Sequence, residues 1–124
     1  MSTALSVLEP FSSFEFVPSV RVTYTTAEVI LELSDERHTE RIRFYPVQAM
    51  KVTTADCFSM RNRGQIVHKS IMEERNSTWL QELIGAASRI DESSEFMLKA
   101  RHFIVPCEDQ FIEVIAWDYV RNVA

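Results

Sequence analysis

Apolar and polar residues alternate from Val20 to Tyr24, with Val20, Val22 and Tyr24 on one side and Arg21 and Thr23 on the other. A period of two marks a half-buried strand. Val29-Ile30-Leu31-Glu32-Leu33 predicts a second strand. Thr25-Thr26-Ala27 between them is a weak turn signal, so one long bent strand is the alternative. Ser34-Asp35-Glu36-Arg37-His38 is wholly polar and predicts a hairpin tip. Alternation resumes over Arg41-Ile42-Arg43-Phe44 and is interrupted at Pro46, which cannot donate to a ladder. Val47 to Thr53 is therefore a separate strand, or the same strand after a bulge or bend. Asp56 to Gly64 has no clear period, with Asn62-Arg63-Gly64 as a turn, and Gln65 to Met72 leans toward strand.

Ser77 to Ile90 follows a different rule. Leu80, Leu83, Ile84, Ala87 and Ile90 recur at helical spacing and predict one amphipathic helix. Asn76, Ser77 and Thr78 all offer capping oxygens, and Thr78 with Gln81 fits a capping box. Asp91 to Ser94 closes the helix in polar residues. Lys99 to Val105 and Gln110 to Tyr119 then predict a final hairpin with Pro106-Cys107-Glu108-Asp109 at its tip. In its second strand Ile112, Val114 and Ala116 line one face, while Phe111, Ile115 and Trp117 line the other, with Glu113 among them. A strand apolar on both faces belongs in the middle of a sheet. The predicted architecture is α+β: an antiparallel sheet of five to seven strands with one main helix, residues 77–90, on a face. Residues 1–124 form a single domain in this reading, and residues 1–13 a loosely attached lead-in that Phe11, Phe14 and Phe16 pin in part.

Composition narrows the function classes. The 124 residues carry 13 Lys+Arg and 18 Asp+Glu, a net charge of −5, and 46% are apolar. This suits one self-sufficient core and excludes a disordered chain. The acidic balance argues against nucleic acid, which calls for a positive surface. Charge is unevenly spread: Arg41 to Arg75 holds seven bases against three acids, whereas Asp91 to Asp118 holds two bases against seven acids. The acidic stretch favours a basic partner. No apolar run reaches the length of a membrane span, and Met1 to Pro10 lacks the basic start of a signal peptide, so a cytoplasmic protein is expected. Cys57 and Cys107 form no paired motif and are expected as free thiols, Cys57 as a small buried residue.

Candidate chemistry is sparse. His38, His68 and His102 are the only histidines, with no ligand spacing for zinc, so no metal or cofactor is expected. His102 and Cys107 flank the last hairpin tip and are a candidate thiol–imidazole pair, with structural roles preferred for both. Glu73-Glu74 is read as favourable charge ahead of the helix. Asp35-Glu36 and Glu108-Asp109 are read as solvated tips. Glu113, inside an apolar strand, is expected to pair with Arg101 or His102 across the hairpin. Two glycines, Gly64 and Gly85, cannot build a phosphate loop. No catalytic set emerges, and a non-enzymatic role is expected.

Two stretches, Asn76-Ser77-Thr78-Trp79-Leu80-Gln81-Glu82-Leu83 and Arg101-His102-Phe103-Ile104-Val105 leading into Phe111-Ile112-Glu113-Val114-Ile115-Ala116, resemble small bacterial single-domain proteins. With the acidity and small size, the chain resembles the immunity proteins of bacterial polymorphic toxin systems. That resemblance implies inhibition of a cognate toxin, a basic protein domain, by direct binding. The expected contact residues are Asp91, Glu92, Glu95, Glu108 and Asp109, with Trp117 and Tyr119 as anchors. The alternatives are a structural or regulatory homo-oligomer, such as a homodimer paired through an edge strand, and a small-molecule-binding domain.

Overall fold

A computed structural model describes residues 4–11, 13–57, 66–90 and 95–123. The chain is an α+β fold built on one seven-stranded sheet, every pairing of which is antiparallel. The strands are β1 (Ala4–Pro10), β2 (Ser19–Tyr24), β3 (Val29–Ser34), β4 (Thr39–Thr54), β5 (Ser70–Arg75), β6 (Arg101–Cys107) and β7 (Gln110–Val123), with helix α1 (Thr78–Ile90) between β5 and β6. Their order across the sheet is β1-β5-β6-β7-β4-β3-β2.

The doubly apolar strand is central, as its pattern predicts. β7 lies fourth of seven, between β6 and β4. On one face Ile112, Val114 and Ala116 join Leu31, Leu33, Ile42, Phe44 and Phe103 in the main core. On the other, Ile115 meets Met97, Ala100 and the apolar stripe of α1, Leu80, Leu83, Ile84 and Ala87. Helix and final hairpin therefore form where periodicity places them, except that β6 runs on through Pro106 and Cys107 and leaves only Glu108 and Asp109 as the tip.

Local side chains explain the turns. Thr25 Oγ1 accepts from the N–H groups of Ala27 and Glu28 at 3.2 and 3.1 Å, closing residues 25–28 into a true hairpin between β2 and β3. One Asp35 oxygen accepts from the N–H groups of Arg37 and His38 at 2.8 Å each, the side-chain turn that aspartate favours. β4 runs straight through the cis Tyr45–Pro46 bond and absorbs the interruption as a bulge between Val47 and Ala49.

Four expectations are corrected. Residues 4–10 are not a loose lead-in: β1 is an edge strand paired with β5 from Ala4↔Arg75 to Pro10↔Ser70. Its alternation is short and ends in Pro10, so the sequence signal is faint. The helix cap is Ser77, whose Oγ accepts from Leu80 N–H at 3.0 Å, and not a Thr78–Gln81 box. Glu73 and Glu74 lie within β5 rather than ahead of the helix, and Glu74 is 4% exposed. Cys57 is exposed, at the end of a short 3-10 turn, and not buried. The Asn62–Gly64 turn and the Asp91–Ser94 helix end fall outside the described residues.

The sheet curls strongly. Tyr119 on β7 donates its hydroxyl to Glu9 on β1 at 2.5 Å, although β1 is three strands away. A flat sheet would hold those backbones about 14 Å apart. Between β1 at one edge and β2 at the other, Phe11 and Phe14 lie in the core, 1% and 2% exposed. The same curl brings Glu108 at the β6–β7 tip against the start of β2, where its N–H donates to Pro18 C=O at 2.9 Å. Ends of strands remote in sequence are gathered there.

Candidate functional site

Two places concentrate polar chemistry: a buried network beneath α1 and an open groove at the strand ends. The first is built by strand alternation. His102 on β6 and Glu113 on β7 point to the helix side of the sheet and are 1% exposed each. Ser77 at the start of α1 and Glu74 on β5 meet them there. His102 Nε2 lies 2.8 Å from Glu113 Oε1, and its Nδ1 lies 2.6 Å from Ser77 Oγ. Ser77 Oγ also accepts from Leu80 N–H at 3.0 Å, so the imidazole is tied at Nδ1 to the start of α1 and at Nε2 to Glu113. Lys51 Nζ stands 3.7 Å from the second Glu113 oxygen and 4.2 Å above the Trp79 ring, which packs edge-on against His102. Glu113 thus pairs with His102, one of its two expected partners, while Arg101 forks onto Glu73 at 3.0 and 2.9 Å.

This constellation carries two chemical readings beyond packing. Serine, imidazole and carboxylate in a hydrogen-bonded row is a nucleophile arrangement. Glu74, His102 and Glu113 bring ligand atoms within 4.8 Å of one another, a set that suits a metal ion. Geometry favours neither. Ser77 is 2% exposed and its oxygen is committed to the helix cap. Both ring nitrogens are engaged, so a metal would have to displace one hydrogen bond. None of the three described grooves is lined by these residues. The network holds the first turn of α1 to β6 and β7. A thiol–imidazole pair is also ruled out: His102 faces the helix, whereas Cys107 sits in the main core on the opposite side of β6. Burial pushes the Cys107 thiol up to about 12. In the folded protein an alkylating reagent is therefore expected to label Cys57 alone, with Cys107 reacting only in denaturant, as mass spectrometry would show.

The open groove has a volume of about 580 Å³ and is lined by Phe16, Val17, Ser19, Ser34, Asp35, Glu36 and Glu108. Three carboxylates from two hairpin tips meet an aromatic ring in one concavity. Phe16 is 59% exposed, unlike Phe11 and Phe14. It is held in place by Asp35, whose second carboxylate oxygen accepts from the N–H groups of Glu15 and Phe16 at 2.9 and 3.3 Å. These backbone donors, that of Arg37 foremost, keep the Asp35 carboxyl below its ordinary range. A shallower groove of about 360 Å³ adjoins through Glu108 and adds Asp109 and Gln110. Asp109 takes φ 59°, a left-handed conformation that aspartate tolerates at a tip.

The expected contact residues are thus divided. Glu108 and Asp109 lie at the grooves. Asp91 and Glu92 fall outside the described residues, as does the Glu95 side chain. Trp117 packs on the helix side beneath Lys99, whose Nζ is 4.8 Å from the ring centroid. Tyr119 turns inward instead of outward as an anchor: it packs on Phe44 and Phe103 and bonds Glu9, and burial raises its hydroxyl well above the ordinary range, with Glu9 adding to the shift. Phe16, Asp35 and Glu36 complete the groove, although the sequence pattern places Phe16 among the residues that pin the lead-in and Asp35-Glu36 in a solvated tip. Compared with known proteins, the chain matches no family model, no curated protein and no solved structure.

Proposed function

We propose that the chain is a non-catalytic binding protein that engages a basic protein partner through the groove at Phe16, as an immunity-type inhibitor of a toxin acting in the bacterial cytoplasm. One observation carries this reading. Asp35 and Glu36 from one tip and Glu108 from another, remote in sequence, converge with an exposed phenylalanine in a single concavity. Acidic rims attract a basic partner over roughly a Debye length and raise its association rate, while an exposed ring supplies apolar contact area. Among the described residues no helix is long and apolar enough to cross a membrane.

The test is neutralisation of a toxin encoded beside this gene. Glu36→Lys with Glu108→Lys is expected to weaken capture of that toxin by about tenfold or more at low salt and to abolish protection of growth, with the fold unchanged by circular dichroism. Full protection by the doubly reversed protein would overturn the reading. A homodimer is the second reading, favoured by β2, an edge strand whose Tyr24 is 58% exposed. Light scattering separates the two.

A further inference from the structure

We infer that the groove receives an arginine side chain of the basic partner, stacked on the Phe16 ring and forked toward Glu36 and Glu108. The inference rests on the groove being the partner surface and goes on to name the group that fills it. The fold itself supplies the template. Arg101 sits 4.8 Å from the Phe103 ring centroid and donates through Nε and Nη2 to Glu73. Arg121 sits 4.8 Å from the Phe11 ring and donates to Glu40 and Glu9. In both, one phenylalanine face and one or two carboxylates enclose a guanidinium. The groove repeats the enclosing parts, Phe16 with Glu36 and Glu108, without a guanidinium from the described residues. Among the described residues neither Glu36 nor Glu108 has an ion-pair partner, and the adjacent Arg37 is engaged with Glu15 at 3.3 Å.

Chemistry favours arginine over lysine. A guanidinium is planar, weakly hydrated and able to stack and fork at once, whereas an ammonium is a hydrated point charge. Asp35 is not a competing acceptor. Its two oxygens are taken by the N–H groups of Glu15, Phe16, Arg37 and His38. Its role is to fix the backbone of Phe16, so the aromatic wall is ordered before a ligand arrives, which lowers the entropic cost of binding.

The test is calorimetric titration of the full chain with hexa-arginine and hexa-lysine peptides at one ionic strength. Hexa-arginine is expected to bind about threefold tighter or more. Phe16→Ala, at an exposed position, should keep the fold and remove that preference while both peptides still bind in a salt-sensitive way. Glu36→Gln with Glu108→Gln should weaken both. Equal affinities for the native chain, a preference retained by Phe16→Ala, or binding of neither peptide would overturn the inference. Equal binding that the double glutamine variant loses would overturn it while leaving the acidic-surface reading intact. Capture of the toxin unaffected by charge reversal would remove that reading too.

Discussion

Replacing Glu40 with glutamine is expected to lower the unfolding free energy by about 3 kcal/mol, at the low end of the range for breaking a buried ion pair. Glu40 has no exposed surface, yet it begins β4 near the end of the sheet. Its carboxylate accepts from Arg121 Nε and lies 2.7 Å from His38 Nε2. The low end applies because Arg121 keeps two further acceptors, Glu9 Oε1 and Pro10 C=O, at 3.3 Å each. Burial alone would raise the Glu40 carboxyl, but hydrogen bonds from Arg121 and His38 outweigh it and hold it below its ordinary value of 4.5. A carboxyl depressed in the folded state stabilises the protein above its unfolded value and loses that contribution as pH falls through the folded one. Urea unfolding of the native chain should therefore weaken as pH drops below about 4.5, more steeply than in Glu40→Gln. Identical pH profiles would refute the assignment.

The second large effect lies beneath α1. His102→Ala is expected to cost about 3–4 kcal/mol, from a cavity and two lost hydrogen bonds in a buried site. Ser77→Ala alone should cost about 1–2 kcal/mol, through the helix cap and the buried acceptor. Because both act on one network, the double variant should fall short of the sum by about 1 kcal/mol. Trp79 lies edge-on to His102 with centroids 5.3 Å apart, so its fluorescence should report the same loss. Strict additivity would mean that the histidine and the cap act independently.

The contrast between legible and hidden features follows from range. Phe111 through Trp117 announce a central strand because burial on both faces leaves its mark within seven consecutive residues. Leu80, Leu83, Ile84 and Ala87 do the same for α1. Ser77 is one of three capping residues in the sequence, and its hydrogen bond with His102, on a distant strand, distinguishes it. Trp117 and Tyr119 are two residues apart yet pack on opposite faces, because alternation breaks opposite Tyr45 and Pro46. No local pattern carries that break. The groove is hidden for a larger reason. Its walls come from residues 16 to 19, 34 to 36 and 108, which meet because the sheet curls. Each tip alone reads as a solvated turn.

The position of β7 has a consequence for biosynthesis. The strand that joins the two halves of the sheet is the last of the seven to be synthesised. Until it emerges, the β2–β3–β4 meander and the β1–β5–β6 group each present an unsatisfied inner margin. Such margins invite pairing with neighbouring nascent chains. Closure of the sheet must therefore wait for β7. A truncation that removes β7 should yield insoluble protein instead of a slightly weaker version of the same molecule.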